Sequence, residues 1–122
     1  MKAIAPNYHL QVILDAIHDG LAAIDRQGKI VLLNPAAADL IGVDRDKAMG
    51  QPVGHIIPNT RMLRVLETGE AELNQRQELA DNTILTSRLP VRDTNGAIIG
   101  AVAVFRNISE IRKLAEEITN LR

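Results

Sequence analysis

The residues able to do chemistry in this chain are few, and their spacing argues against catalysis. The three histidines, His9, His18 and His55, form no HExxH or comparable metal-binding pattern, and each is predicted to sit at the surface. Ser87 and Ser109 have no His or Asp at a recognisable motif spacing, and the glycines form neither a phosphate-binding loop nor a GxGxxG after a strand. With no cysteine there is no disulfide, thiolate nucleophile or Cys-based zinc or iron–sulfur site. The expectation is a binding protein, with no catalytic or metal residues. Arg61 and Arg88 are the side chains of interest. A buried guanidinium needs a partner, and a bidentate carboxylate or phosphate suits it, so a small anionic metabolite is one expected partner. Glu67, Glu70, Glu72, Glu78 and Asp81 are the protein alternatives, and strand alternation also permits Arg88 to face solvent.

The elements that must position these residues fit in one domain of 122 residues with one aliphatic core, for there is one Phe, one Tyr and no Trp. Fourteen basic against fifteen acidic side chains leave no electrostatic footprint for direct nucleic-acid contact. No stretch approaches the roughly 20 apolar residues that cross a bilayer, and MKAIAPNYHL lacks the apolar run of a signal peptide. The expected location is the cytoplasm.

Asn7 can cap an amphipathic helix presenting Leu10, Ile13, Leu14 and Ile17 at i, i+3, i+4 and i+7, ending near Gly20. GLAAIDRQGKIVLLN then reads as strands at 21–25 and 29–33 around an Asp25-x-x-Gly28 turn. Asn34-Pro35 opens a short helix that stops at Gly42. Asp44 caps a brief turn ending at Gly50, Pro52 and Pro58 interrupt the stretch after it, and Asn59 is placed to cap a helix in TRMLRVLET. AELNQRQEL alternates poorly, whereas TILTSRLPV and AIIGAVAVFRNI read as strands joined at Asp93-x-x-Gly96. The order predicts an α+β domain, a five-stranded antiparallel sheet with short helices on one face.

That order, with Gly20, Asp25-x-x-Gly28, Asn34, Ala36-Ala37, Leu40, Gly42, Gly50, Pro90, Gly96, Gly100 and the closing Asn107-Ile108-Ser109-Glu110, resembles a PAS domain from about Val12 to Glu110. The resemblance implies a sensory and dimerisation module of a bacterial signalling protein, with a pocket between sheet and helices lined by Ile24, Leu33, Leu40, Leu63, Leu66, Val102 and Val104, or a filled interior at the same positions. It also implies that the parity of Arg88, two residues before Pro90, points it towards that pocket. PNTRML, VLETGE, SRLPV, GAVAVFRN and SEI are similar to PAS domains that precede the ATPase module of sigma-54-dependent transcription activators, with PAS domains of sensor histidine kinases as the alternative. The family's cysteine-linked chromophores are excluded, and haem and flavin lack their usual histidine or aromatic partners here. The family usually closes on Asp-Ile-Thr or Asp-Ile-Ser, whereas this chain has Asn107, which keeps a capping oxygen and loses the charge.

Ile111, Leu114, Ile118 and Leu121 follow a 3-4-3 spacing, the a/d seam of a coiled coil. So short a helix needs a partner or a continuation to be stable; folding back onto its own domain is the other reading. The expected organisation is an N-terminal helix over 1–19 that contacts a second copy, a PAS core over 20–108, and a linker helix over 109–122 leading to an absent output domain, ATPase and DNA-binding in the activator reading. A ligand-free dimerisation module is the alternative to a metabolite sensor.

Overall fold

The computed structural model describes residues 12–13, 16–57, 60–79 and 81–120. Leu10, Leu14 and Leu121, expected on the flanking helices, lie outside them. Five strands, β1 (Gly20–Asp25), β2 (Ile30–Leu33), β3 (Glu72–Leu79), β4 (Asn82–Arg92) and β5 (Ile98–Asn107), form one antiparallel sheet in the order β2-β1-β5-β4-β3. Helices α1 (Pro35–Ile41), α2 (Arg45–Ala48), α3 (Val53–Ile56) and α4 (Met62–Thr68) connect β2 to β3, and α5 (Ser109–Asn120) follows β5. This is the α+β architecture read from the sequence.

Two hairpins are made by the same device. The Asp25 carboxylate accepts from the backbone N–H of Gln27 and Lys29 at 2.9 and 3.0 Å, and Asp93 does so from Asn95 and Ala97 at 2.9 and 3.0 Å. Gly28 and Gly96 then take φ of +82° and +86°, which a side chain would resist. The edge strand β3 is less regular. Its register shifts between Glu72 and Gln75, Asn74 adopts φ +52°, and the Asn74 N–H bonds the Ser87 hydroxyl at 3.1 Å. This bulge breaks the alternation that marks a strand in sequence, and it sets Glu72 opposite Arg88.

Cross-strand register assigns the two faces. Ala22 and Ile24 of β1, Ala101, Ala103 and Phe105 of β5, and Ile84, Thr86 and Arg88 of β4 are buried on the face that α1 and α4 cover. Leu21, Ala23, Leu85, Val102 and Val104 occupy the other face and are half-buried. Met62 and Val65 are the buried positions of α4. That helix begins at Met62, where the Thr60 hydroxyl accepts from the Met62 N–H at 3.3 Å; Asn59, expected to cap it, lies outside the described residues.

Asn34 ties the sheet to α1. Only 1% exposed, its side-chain oxygen accepts from the N–H of Leu21 at 2.8 Å and of Ala37 at 2.9 Å, while its amide donates to the Asp19 carbonyl at 2.9 Å. Asn34→Ala removes a helix cap and strands a Leu21 N–H inside the protein. A loss on the order of 3 kcal/mol is expected, read as a lower denaturation midpoint at unchanged m-value.

Candidate functional site

Arg88 faces the interior, as its parity implied, and is 3% exposed. Its partners come from β3. One guanidinium nitrogen donates to Glu72 Oε1 at 3.4 Å and another to Gln77 Oε1 at 3.2 Å; Gln77 also accepts from the Thr86 hydroxyl at 3.1 Å. Arg61 does not face inward. It lies at the entrance to α4 with its side chain 48% exposed, and forks onto Glu72 at 2.9 and 3.0 Å. One carboxylate therefore serves two cations, so the interior guanidinium has a negative partner from its own chain.

The electrostatics follow from this sharing. The Glu72 carboxyl is held below the ordinary glutamate range, chiefly by the hydrogen bond from Arg61, against the opposing effect of burial and with help from the charges of Arg61, Arg88 and Arg64. Burial lowers the pKa of Arg88, while the Glu72 charge and hydrogen bond oppose that shift.

Three residues expected to line the interior lie elsewhere. Val102 and Val104 have the wrong parity, because the small side chains of Ala101 and Ala103 take the covered face of β5. Leu63 is 44% exposed, since the buried stripe of α4 passes through Met62 and Val65, and it lies over Gly28 instead. Ile24 and Leu33 are in the core, with Leu40 and Leu66 packed against it. His55 is exposed on α3, and among the described residues no three His, Cys, Asp or Glu side chains are placed to hold a metal.

The second set of interactions gathers where β5 meets α5. The Asn107 oxygen accepts from the Ser109 N–H at 3.0 Å, and its amide donates to Asn82 Oδ1 at 3.1 Å. The Thr83 N–H reaches the Ser109 hydroxyl at 2.9 Å, and the Ile108 N–H reaches the Thr83 carbonyl at 2.9 Å. Arg112, one turn into α5, donates to the Thr83 hydroxyl at 2.9 Å and lies 3.7 Å from Glu78. Asp19, just before β1, pairs with Arg106 of β5 at 3.2 Å. Ile111, Leu114 and Ile118 are 65%, 58% and 63% exposed, so the seam does not fold back onto the described core. Ile13 is also exposed and helical, whereas Ile17 is half-buried and lies outside regular helix. A cleft of about 290 Å³ opens at this end, lined by His18, Gly20, Ala36, Asp39, Leu40, Asn82, Phe105 and Asn107.

The model of the PAS fold family matches residues 8–108. The chain belongs to the PAS family. Its PAS domain is 34% identical over 114 residues to the sensor protein CitS of Halalkalibacterium halodurans, covering 92% of this chain and 21% of that protein. It is 31% identical to the sensor histidine kinase DcuS of Escherichia coli, covering 91% and 21% respectively. The chain thus spans about a fifth of the length of these curated relatives. The PAS domain of Bordetella pertussis BvgS superposes with a TM-score of 0.67 at 18% identity over 94% of this chain and 95% of that one, a likeness of fold. This PAS domain is accordingly a sensory module of signal transduction, related to those of sensor histidine kinases.

The shared carboxylate makes a pH prediction. Because the Glu72 pKa is lower folded than unfolded, its contribution is present at neutral pH and lost as pH falls through the folded-state value. Glu72→Gln should cost on the order of 2 kcal/mol at neutral pH by leaving Arg88 without its anion. Its stability should also fall less steeply in acid than that of the unsubstituted chain, as measured by denaturant titration across the acid range.

Proposed function

We propose that this PAS domain is the cytoplasmic sensory and relay module of a bacterial sensor histidine kinase, acting as a homodimer that passes its state onward through α5. One observation carries the reading. α5 is fixed to its own domain on one flank by Arg112 and leaves Ile111, Leu114 and Ile118 exposed on another. In heptad terms Arg112 and Glu116 are b and f positions, nearly opposite the a/d seam, so anchoring and dimer contact are compatible. Isoleucine at a and leucine at d favour two parallel strands.

The kinase relatives support this context over a sigma-54-dependent activator, which rests on the short stretches PNTRML, VLETGE, SRLPV, GAVAVFRN and SEI. In this reading the domain binds no haem or flavin and contacts no nucleic acid, and catalysis belongs to the rest of the kinase. An anionic metabolite at Arg88 would have to displace Glu72, so the interior site supports that partner poorly.

Sedimentation equilibrium tests the dimer. The chain is expected to dimerise, and Leu114→Lys to weaken association by at least about a hundredfold, because it places two like charges in an apolar seam. A monomer at millimolar concentration, or a Leu114→Lys dimer of unchanged affinity, would sink the proposal. In the whole kinase the same substitution should uncouple autophosphorylation from the stimulus.

A further inference from the structure

We propose that the cleft between α1 and the end of the sheet binds a small amino-acid-like zwitterion, and that its occupancy acts on α5 through Asn107. The proposal deepens the sensory reading by locating the ligand outside the filled interior.

The cleft has a built floor. Phe105 is 2% exposed, and Gly20 is buried beside it. A Cβ added at Gly20 would lie 3.1 Å from the Ala37 Cα and 3.2 Å from the Phe105 ring, so β1 is seated tightly against α1 and a larger residue would crowd this end. Leu40 adds apolar surface, and the volume of about 290 Å³ matches the lower end of small-molecule sites, roughly 300 Å³.

The polar side chains of the cleft are the His18 imidazole, the Asp39 carboxylate and the amides of Asn82 and Asn107. Asp39, on α1, has no hydrogen-bond or ion-pair partner among the described residues, so its carboxylate is available to an ammonium group. Across the cleft, the oxygens of Asn82 and Asn107 are both engaged, the first by the Asn107 amide and the second by the Ser109 N–H. These two bonds fix the orientation of both amides, because an N–H can only meet an oxygen. What Asn82 and Asn107 retain for a ligand is amide hydrogens. A free carboxylate on one side, donors on the other and an apolar floor between them complement a molecule with an ammonium, a carboxylate and a short apolar body.

Asn107 gives the site its connection to output and makes sense of its residue type. An aspartate here would offer only acceptor oxygens and a negative charge, and would repel a ligand carboxylate. The asparagine still turns the chain into α5 through Ser109, yet has hydrogens for the ligand. A carboxylate taking the spare amide hydrogens of Asn82 and Asn107 is held next to the bond between them, at the base of α5, and so couples occupancy to that bond.

The test is an NMR titration of the 122-residue chain with the common amino acids one at a time, beside their N-acetyl derivatives and the corresponding amines that lack the carboxylate. Saturable shifts are expected at the side-chain amides of Asn82 and Asn107 and at Gly20 and Leu40. Both analogue sets should bind at least about tenfold more weakly. Asp39→Asn should weaken binding by a similar factor and Asn107→Asp should abolish it, while Asp46→Asn, an acid on exposed α2, should leave it unchanged. No saturable shift with any amino acid at tens of millimolar, full binding to Asp39→Asn, or shifts centred on the interior would overturn the proposal. Every residue of the cleft belongs to one chain, so binding should persist in Leu114→Lys. A negative titration therefore leaves the dimer standing, and a monomeric protein leaves this site standing.

Discussion

The antiparallel pairing of β1 with β5 at the centre of the sheet is the constraint on which the rest of the molecule depends. These are the first and last strands among the described residues, and Gly20 lies opposite Phe105 in their register. The chain therefore enters and leaves the domain at one end of the sheet. Asn34, the Asp19–Arg106 pair, the Asn82–Asn107 bond and the cleft all gather there as a consequence. The Asp19–Arg106 pair is too exposed to contribute more than about 1 kcal/mol, whereas the backbone ladder beneath it is continuous from Gly20 to Asp25. Strand pairing sets the geometry, and the ion pair only decorates it.

The opposite end of the polar network solves a different problem. A guanidinium on the covered face of β4 is costly unless compensated, and the edge strand supplies the compensation only because its bulge brings Glu72 into register with Arg88. Glu72 then reaches outward to Arg61, so the start of α4 is held against the sheet edge by the same carboxylate that neutralises the interior. Gln77 and Glu78 are neighbours on β3, one bonded to Arg88 and the other to Thr83 near Arg112. The edge strand thus touches both the interior charge and the base of α5.

Legibility in the sequence followed the range of the interaction. The Asp-x-x-Gly turns and the Asn34 cap are set by residues within a few positions of one another, and each could be read directly. The family resemblance likewise fixed the order of strands and helices. The face of β5 could not be read from hydrophobicity, because Ala101, Val102, Ala103 and Val104 are all apolar, and packing against α4 selects the smaller pair. Leu63 failed for a similar reason, since a seven-residue helix carries too few turns to fix its buried stripe. The partner of Arg88 was one of five acids within reach in sequence, and the choice depended on a bulge that left only poor alternation as its sign. The cleft was the least legible feature, since His18, Asp39, Asn82 and Asn107 are far apart in the chain and only the folded sheet and α1 bring them together.

The same considerations bear on how α5 would relay a change of state. Over its described residues, Ser109–Asn120, the helix is held to its own domain near its base. At its base it is held by one exposed hydrogen bond within the Asn107–Ser109 turn and by two partly buried ones that join Ser109 and Arg112 to Thr83. Such bonds contribute about 1 kcal/mol each, and a change of one or two of them moves a balanced equilibrium by a factor of roughly five to thirty. A buried apolar anchor would have fixed the helix more firmly and made it unresponsive. The exposed seam supplies the opposing requirement, since Ile111, Leu114 and Ile118 gain only when a second helix covers them. In the proposed dimer the position of α5 would be set by competition between a polar base and an apolar seam, and a small ligand bound at the base would shift it.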